Sequence, residues 1–222
     1  MTGPSTPYAP PQGPIPVIHE DADILVVGKP HGLLSVPGRG PHLADSLLTR
    51  LQAERPETLL CHRLDRDTSG IMVFALTKEG QRRMGRLFET RKVAKRYAAL
   101  VWGAVAQESG AVDLPLIVDW PNRPLQHVDP VRGRPALTRW RRMAVEAAPG
   151  GPVTRMRLMP LTGRSHQLRV HMREIGHPIW GDPFYAEGAA ARAPRMMLHA
   201  EGLKFPHPVS GAMMRLAVPC PF

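Results

Sequence analysis

Cysteine is nearly absent: the 222 residues hold two, Cys61 and Cys220. Two such distant thiols form neither a metal-binding spacing nor a disulfide framework, which fits a reducing compartment. Aromatic residues are also scarce, at 5% of the chain, so each one needs a reason for its place. No apolar stretch approaches the roughly 20 residues that cross a bilayer as a helix. The N-terminal "MTGPSTPYAPPQGPIP" has neither the basic start nor the apolar centre of a secretion signal, and a cytoplasmic protein is expected. Acid is in short supply as well, since 19 Asp and Glu face 29 Lys and Arg for a formal charge of +10. Twenty-four of those 29 are arginine, whose planar fork suits phosphate and stacks on bases. A GC-rich coding sequence would also favour arginine over lysine, but it does not create an excess of base over acid. A polyanionic partner accounts for that excess.

What is present reads as one domain behind a tail. Residues 1–16 hold six prolines and no apolar periodicity, so a disordered Pro-rich tail is expected there, with order from Val17. "VIHEDADILVVGKP" predicts two short strands around an acidic turn. Leu43, Leu47 and Leu51 predict an amphipathic helix over about 43–54. Thr77 is a candidate N-cap for a helix to about Thr90, with Met84, Leu87 and Phe88 inward. "KRYAALVWGAV" is strand-prone. Residues 106–135 look like a structured excursion in which Leu114, Leu116, Ile117 and Trp120 pack. Strands follow over about 136–146 and 153–159, where Met156 and Leu158 alternate with Arg155 and Arg157. Leu168, Met172 and Ile175 share a helix face that Ser165 can cap and Gly176 can end. Two more strands, near 196–205 and 213–218, close the chain. Many strands without β-α alternation predict an α+β fold, a largely antiparallel sheet flanked by helices and loops.

The chemistry-bearing candidates each have two readings. In "HRLDRDTSG" the carboxylate of Asp65 lies between Arg63 and Arg66, either as a salt-bridged turn or as a working acid kept ionised by its neighbours. Tyr97 is either a buried strand aromatic or a platform for an unstacked base. Arg164 and Arg169 belong to a solvated helix face, or one of them pairs with a buried carboxylate or a phosphate. His62, His166 and His171 do not suggest a metal: five helical steps put His166 and His171 roughly 140° apart, and no metal site is expected.

Together, "HRLDRDTSG", "KRYAALVWG", "PLTGRSHQLRVHM" and "GHPIWGDPFY", in that order, resemble the successive motifs of the RluA-type pseudouridine synthases, from about Val17 to the C-terminus. The resemblance implies a pseudouridine synthase catalytic domain over 17–222 that isomerises uridine in RNA without a cofactor. Asp65 would be the catalytic aspartate, Arg169 its partner and Tyr97 the stacking surface, with Arg63 filling the gap left by the flipped base. Arg66, Arg164 and His62 would contact RNA. Within the family the chain is most similar to the short dual-specificity members, which implies a 23S rRNA hairpin loop and the tRNA anticodon stem-loop as substrates. Those members lack the S4-like RNA-binding domain of their relatives, and its absence is expected here. A monomer without an obligate protein partner is the default. Two other classes compete: a glycosidase using Asp182 as its second carboxylate, and an RNA-binding module without chemistry.

Overall fold

The computed structural model describes residues 8–222. Order begins earlier than the hydropathy pattern predicts. The Tyr8 hydroxyl donates to the Asp45 carbonyl at 2.9 Å and accepts from the Leu34 amide at 3.0 Å. Arg50 donates to the Pro11 carbonyl, and Ile15 packs against the core. From Tyr8 onward the expected tail is therefore joined to the fold, through Tyr8, the Pro11 carbonyl, Ile15 and the Pro16 carbonyl, which accepts the Gly28 amide. Residues 1–7 lie outside the described residues.

The acidic turn connects β1 (Val17–Glu20) and β2 (Ile24–Lys29), because the Asp21 carboxylate accepts the amides of Asp23 and Ile24. Leu43 does not open the next helix. It ends a short 3-10 turn, and α1 (Leu47–Glu54) begins after Ser46, whose hydroxyl accepts the Thr49 amide while Thr49 takes the Ser46 amide in return. That reciprocal cap satisfies two otherwise orphaned donors and so fixes the start. Next come β3 (Leu59–Leu60), β4 (Ser69–Ala75), α2 (Lys78–Glu89) capped by Thr77, and β5 (Ala94–Trp102). The excursion folds as β6 (Ser109–Asp113), β7 (Leu116–Val118) and β8 (Gln126–Val128). Leu116 is buried there with Ala136, Val170 and Tyr185, whereas Trp120 remains 64% exposed beneath the Arg123 guanidinium. The long hairpin β9 (Leu137–Ala148) and β10 (Gly151–Pro160) leads into α3 (Gln167–Glu174), and β11 (Leu198–Pro206) and β12 (Met213–Ala217) finish the chain. Ser165 is not the cap of α3. His166 occupies that position in the left-handed conformation, with φ 52° and no side-chain cap bond.

Ten strands form one sheet in the order β1-β2-β4-β11-β5-β10-β9-β6, with β3 on β4 and β12 on β11. Among the described residues β4 and β11 pair in parallel and the sheet's other ladders run antiparallel. One apolar cluster, built on β2 and β4, receives Leu47, Leu51 and Met84 from α1 and α2. A second, built on β5, β9 and β10, receives Leu168 and Met172 from α3. Tyr97 packs against both, so it stands where the two halves of the sheet meet.

The row Gly70, Ala200, Tyr97 crosses that junction in register. Gly70 has φ 119°, and a Cβ added there would overlap the Ala200 backbone; glycine is what permits β4 and β11 to approach. Gly70→Ala should therefore cost about 2 kcal/mol or more of unfolding free energy. Urea denaturation measures it, and a change within about 0.5 kcal/mol of wild type would contradict the close approach.

Candidate active site

The loop between β3 and β4 carries Asp65, and four residues of the "KPHGLLS" stretch hold it in place. The buried Lys29 ammonium donates to the carbonyls of Pro30, Leu33 and Arg66. Burial pushes its pKa down to about 7, opposed by the nearby Asp67 and Asp65. The Ser35 hydroxyl donates to the Leu64 carbonyl at 2.7 Å and accepts the Leu64 amide at 3.1 Å. Gly32 bonds Arg66 and His31 bonds Asp67 through the backbone oxygens. A turn bond from the Thr68 amide to the Asp65 carbonyl closes the loop.

This places the Asp65 side chain, 27% exposed, with one oxygen 3.1 Å from Nη1 of Arg169 and 3.9 Å from Nε2 of His166. Arg169 projects from α3 and is only 3% exposed. Its other face forms a two-pronged pair with Asp182, Nε to Oδ2 and Nη2 to Oδ1, both at 2.7 Å. Asp182 is fully buried, and its Oδ1 also accepts the amides of Phe184 and Tyr185. Burial works against the guanidinium charge, but Asp182 and Asp65 outweigh it and raise the pKa of Arg169 above its ordinary value. The helix that presents Arg169 is tied down by Gln167, whose amide nitrogen donates to Leu137 and Thr138 and whose oxygen accepts from Thr162 and Arg164.

Asp65 opens onto a cavity of about 560 Å³ whose lining includes Arg63, Tyr97, Arg164, His166 and Arg169, within the ~300–1,000 Å³ typical of ligand pockets. Burial and then the Asp65 charge raise the Tyr97 phenol above its usual range, which leaves a neutral aromatic face. Arg63 is exposed at the mouth. Arg164 also lines the cavity and donates to the Pro135 carbonyl.

Two of the residues expected to contact RNA are also engaged within the protein. His62 lines the cavity, but its Nε2 accepts the Val73 amide and its ring packs 4.8 Å from Phe88. Burial, with Lys95 adding to it, pushes its pKa down to about 3, so it presents a neutral ring. Arg66 turns away from the cavity and pairs with Asp67 at 2.9 Å. The three histidines do not converge: Nδ1 of His166 meets the Tyr185 hydroxyl at 2.7 Å, and His171 spans Thr138 and Leu114.

Three participants escaped the sequence reading. Asp182, which its Gly-Asp-Pro setting marks as a turn residue and which a glycosidase would use as its second carboxylate, is instead fully buried against Arg169. A buried arginine that gives one N–H to Asp65 needs another acceptor for the rest, and beyond residue 160 only Glu174, Asp182, Glu187 and Glu201 are acidic. Lys95 stands two residues before Tyr97, hence on the same strand face. It lines the cavity, donates to the Thr162 carbonyl at 2.9 Å, and is pushed down to about 8 by burial. His166, the third, owes its place to a left-handed backbone that no pattern announces.

An acid–guanidinium–acid chain beside a neutral aromatic, in a cavity that Arg63, Arg91, Lys95 and Arg164 line, suits an enzyme acting on an anionic, base-bearing substrate. The family model described as RNA pseudouridylate synthase matches residues 23–174, and the chain belongs to that family. It is an RNA pseudouridine synthase, isomerising uridine to pseudouridine. The chain is 51% identical over 218 residues to the dual-specificity RNA pseudouridine synthase RluA of Vibrio vulnificus (strain CMCP6), covering 97% of this chain and 87% of that protein. It is 50% identical over 217 residues to the protein of the same name from Escherichia coli (strain K12), covering 97% and 98%. Among solved structures it resembles human RNA pseudouridylate synthase domain containing 1, with TM-score 0.78 and 30% identity over 100% of this chain and 87% of that one. Human RNA pseudouridylate synthase domain containing 4 gives TM-score 0.72 at 26% identity, covering 93% and 88%.

The Lys95 ammonium carries its charge below about pH 8 and loses it above. If it holds an anionic part of the RNA, KM for RNA should rise as the pH passes that value. Lys95→Arg should remove the rise, because guanidinium stays charged. Steady-state kinetics across roughly pH 7 to 9 check this, and a KM that is flat in the wild type would exclude the role.

Proposed function

We propose that this enzyme modifies two RNAs, a 23S rRNA hairpin loop and the anticodon stem-loop of some tRNAs, as a cytoplasmic monomer. Support for the dual substrate is the near full-length similarity to relatives named as dual-specificity synthases. The observation that carries the assignment of residues is the Asp65–Arg169–Asp182 chain at a cavity that also holds Tyr97. A short loop read after refolding around one extruded base would let two unrelated RNAs enter the same site.

In this reading the target uridine flips out of its stack at a cost of a few kcal/mol, offset by phosphate contacts to the basic surface. Tyr97 receives the uracil face and Arg63 enters the gap. Arg164 holds backbone at the mouth, while Arg66, on the outer side of the loop, meets RNA more remotely and His62 offers its ring. Asp65 then acts beside C1′, as nucleophile on sugar or base or as base toward the C2′ proton. The C1′–N1 bond breaks, the uracil turns while held, C5 bonds to C1′, and the C5 proton leaves as N1 gains one. Atoms and electrons balance without a redox partner. Arg169 keeps the Asp65 carboxylate pointed at C1′ through each step, since Asp182 prevents the guanidinium from swinging away.

Pseudouridine mapping of 23S rRNA and total tRNA, treated with wild type and with Asp65→Ala, tests this. Signals in an rRNA loop and an anticodon loop, both lost in a variant that still binds RNA, are expected. Signal in one RNA alone would overturn the dual substrate, and product from Asp65→Ala would overturn the role of Asp65.

A further inference from the structure

Helix α2 ends in an unusual way. After Thr90, Arg91 takes φ 58°. The Lys92 amide donates to the Leu87 carbonyl at 2.8 Å and the Arg91 amide to the Phe88 carbonyl at 3.1 Å. These two bonds make a Schellman ending, whose left-handed position glycine fills without steric cost. Here an arginine fills it. A residue held in a sparsely populated conformation beside an active site points toward function.

The turn sends neighbouring cations to different places. Arg91 lines the cavity that holds Asp65 and Tyr97. Lys92 lines a second groove of about 340 Å³, which shares none of the first cavity's lining residues, with Arg83, Arg86, Leu87 and Pro208. Arg83 is already engaged, with Glu79 and with the Pro208 carbonyl. Arg86, Arg91 and Lys92 are exposed and have no carboxylate partner among the described residues. A solvated helix end explains Arg86, which suits the negative C-terminal pole. It explains neither the strained position of Arg91 nor the addition of Lys92 to a place already rich in like charge.

We propose that the C-terminal turn of α2 is a phosphate clamp, in which Arg91 takes a phosphate beside the flipped nucleotide and Lys92 and Arg86 take further phosphates of the same RNA strand in the second groove. The proposal rests on the RNA-modifying reading above and adds the path of the strand. Backbone contacts carry no sequence information but fix register. A clamp of this kind therefore positions two different RNAs equally well.

The test uses the full chain, an anticodon stem-loop RNA and a 23S hairpin RNA. Salt titrations of binding, thermal melting and steady-state kinetics are compared for wild type, Arg91→Gly and the double variant Arg86→Ala/Lys92→Ala. Arg91→Gly should melt no lower than wild type, because glycine suits that φ. It should nevertheless bind both RNAs about ten-fold more weakly, with a log–log salt slope shallower by roughly one and a KM that rises more than kcat falls. The double variant should flatten the slope further. Unchanged affinity and slope in Arg91→Gly would overturn the clamp, as would a double variant that binds like wild type. Should the wild type form no pseudouridine while the variants still lose RNA affinity, the enzymatic reading fails and the clamp stands. An active wild type with variants that bind normally gives the reverse.

Discussion

Arg169 is buried, charged and bonded on both sides, and Asp182 is what makes the three compatible. A guanidinium at 3% exposure beside Asp65 alone would have most of its donors unmet, and an uncompensated buried charge costs several kcal/mol. Asp182 takes two of those donors at 2.7 Å each and is itself satisfied by the amides of Phe184 and Tyr185. The pair converts a flexible side chain into a fixed post. Asp65 leans on that post from a different part of the chain, 104 residues away in sequence, and its carboxylate acquires a direction as well as a partner.

The rest of the fold serves the other side of that contact. The Asp65 loop has almost no secondary structure of its own, so its carbonyls and amides must be met by something. Lys29 at the end of β2 and Ser35 in the following loop meet them. Gly70 then lets β4 run close beside β11, and the same Ala200 pairs with Tyr97 on β5. Three strands thereby set the aromatic face at a fixed distance from the loop. The sheet junction is the frame on which acid and aromatic are mounted separately.

Much of this was legible in the sequence, for identifiable reasons. Alternation at Met156 and Leu158 marked β10, Thr77 marked the start of α2, and the three long motifs marked Asp65, Tyr97 and Arg169. These signals are local, or they repeat an order along the chain. What sequence hid was direction. The resemblance implies RNA contacts for Arg66 and His62 but does not say that Arg66 faces Asp67 or that His62 accepts a backbone amide as a neutral ring. Asp182 was hidden because its role appears only when a turn brings it under α3. The left-handed backbones of His166 and Arg91 were hidden because glycine is the default occupant of that conformation and neither residue is glycine. The contacts of Tyr8 and Pro11 were hidden as well, since a proline-rich composition reports low self-affinity and says nothing of partners elsewhere on the fold.

If Arg169 acts as a fixed two-pronged post rather than as a mere positive charge, geometry must matter more than sign at this position. The measurement is the single-turnover rate of pseudouridine formation by Arg169→Lys at saturating RNA. Lysine keeps the charge but cannot engage Asp182 and Asp65 together in a planar fork. The expected outcome is a rate lower by about 100-fold or more, as misplacement of a catalytic group by an ångström can produce, with RNA affinity close to that of the wild type. A lysine variant within a few-fold of the wild-type rate would contradict the account.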